Sequence, residues 1–356
     1  MTSLPLFAFI THIITFFSLL STQSGSLYKN VILCAGAFFS VMVVSLLSLD
    51  DYENYASVFR SIDIDRQFFE QSIILYGENL YLFINYVFRF FTDDFNLVRC
   101  FLLFFAMILK IVFLVRWGRY YALSLTFYIS MLFYPDSYLL RSTVASSILL
   151  LSIWALYCDK RWYYFFIPVF IAAGFHSSAI VALPLWFLAK IQLSKSIAIL
   201  IIIISVALGI IGIGHIAVQL FLDIFSTDVY VIDKLFMYSE SKYGSRMSLL
   251  KGSLVIYLLI AFIFIMSMDT IKKIMPHYNL TLVLILYSLF ILLAFSDFLV
   301  LSERLFRLFT ISFSIALGFV FSVIKEKDRT ILAMITLILL NILPYYTDVG
   351  PYRLIY

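Results

Sequence analysis

Long apolar runs dominate this chain, and the short breaks between them hold most of its lysines and arginines. Ile199–Val206 carries a single polar residue, Ser205. Runs of this kind leave no polar surface for a soluble fold. In lipid, every backbone N–H and C=O must be satisfied within the protein, so only helices and closed barrels can span. Barrel strands alternate apolar and polar residues, whereas here the apolar residues run on without alternation. The fold class is therefore all-α, a polytopic integral membrane helical bundle. Composition agrees. The 356 residues are 63% hydrophobic and 13% charged, against about 45–50% and about 25% in soluble domains. This excludes an ordinary soluble enzyme, a disordered tail and a disulfide scaffold. Cys34, Cys100 and Cys158 are odd in number and dispersed, which also argues against a zinc cluster.

A span needs roughly 20 mostly apolar residues. About twelve are read, at about 4–20, 30–49, 95–115, 120–134, 139–157, 162–174, 178–189, 196–214, 252–268, 279–295, 305–323 and 329–344. Residues 1–356 thus form a single membrane domain, with external loops at about 50–94 and 215–251. Segment 66–91 is apolar in places but interrupted by Glu78, Asn79, Asn85 and Arg89. It is read as amphipathic helices lying at the outer interface.

Basic residues in short loops stay on the cytoplasmic side. Lys29, Arg116 and Arg119, Lys160 and Arg161, Lys190 and Lys195, Lys272 and Lys273, and Lys325, Lys327 and Arg329 occupy six such breaks. They share one side only if 162–189 is a hairpin turning at Gly174-Phe175-His176-Ser177-Ser178. The net charge of +4 is small, and with the basic residues in these breaks no nucleic-acid partner is expected.

Charges at the edges of spans are costly and are functional candidates by default. Four places stand out, all external in this topology: Arg141, His176, the group Glu303, Arg304 and Arg307, and the acidic cluster Asp50, Asp51 and Glu53 with Glu78 beyond it. Each has a plainer reading. Arg141 can snorkel to the interface, His176 can satisfy a turn, and Glu303 can pair with Arg304. Arg304 and Arg307 share a helix face and leave a positive spot suited to phosphate. Lys110 is read as a snorkelling anchor, and His12, His215 and His277 as unclustered. No metal-ligand spacing, P-loop or nucleophile elbow is present, and no cofactor is expected.

These residues resemble the Wzy-type polysaccharide polymerases, specifically the EpsG-like branch. The likeness rests on Asp50-Asp51-Tyr52-Glu53-Asn54-Tyr55, Gly77-Glu78-Asn79-Leu80-Tyr81, Leu140-Arg141-Ser142-Thr143-Val144-Ala145, Gly174-Phe175-His176-Ser177-Ser178-Ala179 and Glu303-Arg304-Leu305-Phe306-Arg307. The family more often has Arg-Gln where this chain has Arg141-Ser142, so no Gln role carries over. The resemblance implies a GT-C-like bundle in a bacterial inner membrane with its active face periplasmic. It implies polymerisation of O-antigen or a related surface polysaccharide. The growing glycan would pass from undecaprenyl diphosphate to the non-reducing end of a new lipid-linked oligosaccharide unit. Membrane lipid and a chain-length regulator are the expected partners.

Under that reading Arg141, Arg304 and Arg307 hold the diphosphate, and His176 or Glu78 is the base. Asp51, Glu53 and Glu303 bind sugar, or Asp51 and Glu53 simply cap the loop. Two rivals share parts of this pattern: an O-antigen ligase that transfers glycan to lipid A core, and a lipid-linked sugar flippase. A flippase would need internal repeats and midplane polar groups, and no repeat is evident. A membrane acyltransferase would need a supported His in an early span, and His12 has no Arg or Asp beside it.

Overall fold

The computed structural model describes residues 52–70, 78–118, 121–132, 136, 139–216 and 252–324. The described elements are all helical. The expected spans at about 4–20, 30–49 and 329–344, and most of the loop at 215–251, lie outside the described residues.

Two short amphipathic helices come first, α1 (Tyr52–Arg60) and α2 (Asn79–Arg89). Next is α3 (Phe95–Trp117), capped by Asp94, whose side chain accepts from the Asn96 amide at 2.9 Å. Then comes α4 (Tyr121–Phe127), which runs on as a π-helical turn at Tyr128–Leu132. A pair follows, α5 (Leu140–Tyr157) and α6 (Trp162–Phe175). A 3-10 turn at Ser177–Ala182 leads to α7 (Leu185–Leu188). Helix α8 (Lys195–Ile211) starts at a Ser194 cap and stops at Gly212, whose φ of 81° is the left-handed C-cap conformation. The last five are α9 (Gly252–Met266), α10 (Met268–Ile274), α11 (Tyr278–Ala294), α12 (Leu299–Arg307) and α13 (Ile311–Val323).

Helices α3 and α5 are each long and apolar enough to cross a membrane. Two further spans result if each bent pair counts as one: residues of α9 with α10, bent by 75°, and α12 with α13, bent by 60°. Four shorter apolar helices complete the set, at Trp162–Phe175, Ser177–Leu188, Lys195–Ile211 and Tyr278–Ala294. The described residues thus hold two to four candidate spans. Stretch 305–323, read from sequence as one span, is broken instead. The polar residues Ser302, Glu303, Arg304 and Arg307 belong to a separate helix that bends away from apolar α13.

Exposure along α3 follows a helical stripe. Leu97, Phe101, Phe105, Ile108 and Val112 face outward, at spacings of three and four, and suit contact with lipid. By contrast α5, α11 and α13 are buried on nearly every side and form the centre of the bundle. Hydroxyls on α5 are satisfied by backbone: Ser146 and Ser147 donate to Thr143 O, and Ser152 donates across to Phe165 O at 2.8 Å.

The chain reverses at His176, as the hairpin reading requires. Phe165, eleven residues before that turn, packs against Trp186, ten residues after it, with ring centroids 5.6 Å apart. Helix α2 lies against α6 where Gly174 lacks a side chain. A Cβ there would sit 2.8 Å from Leu80 Cβ. That close approach sets the position of the neighbouring Glu78. Asn85, which disfavours a span in this segment, is buried and donates to Tyr81 O at 2.8 Å within its own helix.

Two single-residue expectations are overturned here. Lys110 does not snorkel. It is 4% exposed and is held by the Asp136 carboxylate, which also accepts from Tyr128 Oη at 2.6 Å. The Lys110 ammonium lies 5.1 Å from the Tyr128 ring centroid. A buried acid partner removes the need to reach water. His215 is likewise not isolated: its backbone N–H and Nδ1 lie 2.6 and 3.0 Å from Asp297 Oδ2, and its ring stacks on Phe298.

Candidate functional site

Three helix ends meet at one carboxylate. Glu78 precedes α2 as its N-terminal flanking residue but spends no side-chain bond on capping. It is 3% exposed. Arg141, the second residue of α5, donates through Nη1 to Glu78 Oε2. His176 terminates α6, where its amide donates to Ala172 O at 2.9 Å. Its Nδ1 lies 2.7 Å from Glu78 Oε1. The His176 side chain is 14% exposed and the Arg141 side chain 35%. One buried carboxylate therefore orients an imidazole and a guanidinium at once.

These three residues line a cavity of about 580 Å³, together with Arg304, Ser142 and residues of α1 and α2 including Asn54, Tyr55 and Tyr81. Helix α1 forms one wall and is held by arginines. Its aromatic residues Tyr52, Tyr55 and Phe59 recur at spacings of three and four. Arg99 lies 5.6 Å from the Tyr52 ring, Arg141 5.3 Å from Tyr55, and Arg89 5.3 Å from Phe59. Such cation–π contacts favour a desolvated guanidinium over an aromatic face. Arg141 also lies 5.9 Å from the Tyr81 ring. Burial, with a smaller contribution from nearby Tyr55, pushes the Tyr81 phenol well above its usual range.

The structure brings together four of the eight residues given site roles from sequence: Glu78, Arg141, His176 and Arg304. Arg307 and Glu303 pair with each other at 3.9 Å one turn apart and do not line the cavity. Glu53 points to solvent, 3.9 Å from Arg60, and does not line it either. Asp51 lies outside the described residues. Snorkelling of Arg141 gives way to its bond with Glu78. Sequence reasoning missed Tyr55 and Tyr81 as neighbours of Arg141. The aromatic spacing on α1 was visible, but its arginine partners come from three distant segments. No group of three or more metal-binding side chains occurs among the described residues.

The basic loops gather at the far end. Arg141 opens α5 at the cavity, and Tyr157 closes it about 24 Å away, at 1.5 Å per residue. There Tyr157 stacks on Trp117 at 4.4 Å, and both rings meet His277. This joins the ends that carry Arg116, Lys160 and Arg161, and Lys272 and Lys273. Lys190 shares a second cavity there with Lys160. Residues from four of the six basic breaks thus lie at the end opposite the Glu78 cavity; Arg119 of the first lies outside the described residues.

Among known proteins, the sequence profile described as the EpsG family matches residues 29–350. The chain matches no curated protein and no solved structure.

Proposed function

The chain belongs to the EpsG family, membrane proteins of the polysaccharide-polymerase type, and on that premise we propose that it polymerises lipid-linked oligosaccharide repeat units of O-antigen or a related surface polysaccharide. The donor is a growing glycan on undecaprenyl diphosphate, and the acceptor is the non-reducing-end hydroxyl of a new unit. The observation that carries this reading is the Glu78 carboxylate bridging Arg141 and His176 in a cavity that Arg304 also lines.

The chemistry follows from the charges. As the anomeric C–O bond to the carrier breaks, negative charge grows on the departing diphosphate. Arg141 and Arg304 stabilise it, with Arg307 as a more remote contributor. The acceptor oxygen bonds to the anomeric carbon and sheds its proton. With Nδ1 engaged by Glu78, Nε2 is the His176 nitrogen that takes it, which makes Glu78 the orienting group. Tyr55, half-buried on the cavity wall, offers an edge for a sugar ring, while Tyr81 is buried beneath it. Asp51, Glu53 and Glu303 are the ligands of the acceptor glycan; of these, Glu53 and Glu303 act from outside the cavity lining.

This reading includes a bacterial inner-membrane location with the cavity at the periplasmic face. The gathering of basic loops at the other end supports that orientation. It also includes about twelve spans in a GT-C-like arrangement, and a chain-length regulator as partner. The test is the surface polysaccharide of a deletion strain complemented with wild type, His176→Ala or Arg304→Ala. Wild type restores a ladder, and each variant gives a core capped by a single repeat unit. Full ladders from both variants overturn the site assignment. A core with no unit attached points to a ligase instead.

A further inference from the structure

We propose that the second cavity, at the end of the bundle opposite Glu78, binds the phosphate of an anionic phospholipid headgroup. Its volume is about 460 Å³, and its lining includes Lys160, Lys190, Trp186, His277, Asn279 and Asp159. The α5–α6 turn supplies Lys160, and the segment after α7 supplies Lys190. The two ammonium groups come to one cavity because the hairpin folds back at His176.

Its floor is a built structure rather than a chance gap. Asn279, buried at the start of α11, donates to Ile191 O at 2.7 Å and accepts from Leu193 N at 3.0 Å. Both polar ends of that amide are spent on fixing the backbone beside Lys190. Lys190 Nζ lies 4.6 Å from the Trp186 ring centroid, which orders the long side chain. His277 is held by the Trp117 and Tyr157 rings. Two ammonium groups against the single carboxylate of Asp159 leave the site net positive. Lysine serves as a point-charge phosphate ligand.

A lipid phosphate and free phosphate share this chemistry. The lipid is favoured by what surrounds the cavity. Phe187 and Ile191, beside the lining residues Trp186, Lys190 and Gln192, are large exposed apolar side chains. They offer acyl chains a surface that a free anion would not use. Basic cavities between spans, with tryptophans at headgroup depth, are the usual setting for anionic headgroups.

The test uses the full chain, purified and delipidated, with native mass spectrometry reading bound lipid. The probes are phosphatidylglycerol, phosphatidylcholine with the same acyl chains, and inorganic phosphate. Wild type is expected to retain one phosphatidylglycerol in preference to phosphatidylcholine. Lys160→Gln with Lys190→Gln should weaken retention about 30-fold, the loss that follows from removing two near-surface lysines. Lys160→Arg with Lys190→Arg should retain it, and so should Lys272→Gln with Lys273→Gln, which removes charge from the same end but outside the cavity. Equal retention of phosphatidylcholine overturns the proposal, as does equal loss in the Lys272/Lys273 variant. Displacement of the lipid by millimolar inorganic phosphate overturns the lipid source.

Discussion

Replacing Glu78 by Gln keeps the shape of the side chain and removes one of its two acceptors. Glu78 Oε2 serves Arg141, and Oε1 faces His176 Nδ1 at 2.7 Å. Gln has one carbonyl oxygen, so its NH₂ group must face one of these partners. Facing Arg141, it sets donor against donor. Facing His176, it is tolerated only if Nδ1 carries no proton. Hydrogen bonds to charged groups are worth about 1.5–3 kcal/mol. The Arg141 side chain is 35% exposed, so water screens part of its loss, and that bond belongs near the lower end at about 1.5 kcal/mol. The His176 contact is more enclosed and belongs higher, up to about 3 kcal/mol. If these contacts are needed when the diphosphate leaves, the rate falls by about 10–150-fold. The assay is glycan lengthening by the purified chain in lipid, with a lipid-linked repeat unit as substrate and thermal melting as the folding control. A double-mutant cycle with His176→Ala should show coupling of at least ~0.5 kcal/mol. A wild-type rate for Glu78→Gln, or energies additive to within ~0.3 kcal/mol, would refute the orienting role of this carboxylate.

Gly174→Ala should lower the polymerisation rate by about 10-fold with little change in melting temperature, since its Cβ would press on Leu80 at 2.8 Å and displace the neighbouring Glu78 by a fraction of an ångström; a normal rate removes the positional argument. Lys110→Met should destabilise the chain by about 3 kcal/mol, because among the described residues it leaves the buried Asp136 carboxylate with only the Tyr128 hydroxyl. Adding Asp136→Asn should recover part of that loss in a melting experiment. Arg304→Gln should cut polymer length and rate while leaving melting unchanged, because Arg304 lines the cavity and is partly exposed.

The sequence by itself determined that this chain is a membrane helical bundle, and for a local reason. The cost of unpaired backbone in lipid is met inside each helix, so an apolar run such as Phe95–Trp117 declares itself without knowledge of its neighbours. Short motifs also marked Glu78, Arg141, His176 and Arg304 as charges too expensive to be idle. Which of these act together was not legible. Glu78 lies 63 residues from Arg141 and 98 from His176, and only packing brings them to one carboxylate. Nothing in the spacing of Glu303, Arg304 and Arg307 says that one lines the cavity while the other two pair with each other. The same holds for Lys110, whose partner Asp136 lies 26 residues away. Span formation is decided by a residue's own helix and the solvent around it. A site is decided by which helix ends coincide, and that depends on contacts such as Leu80 against the bare backbone of Gly174, which exist only once the bundle is assembled.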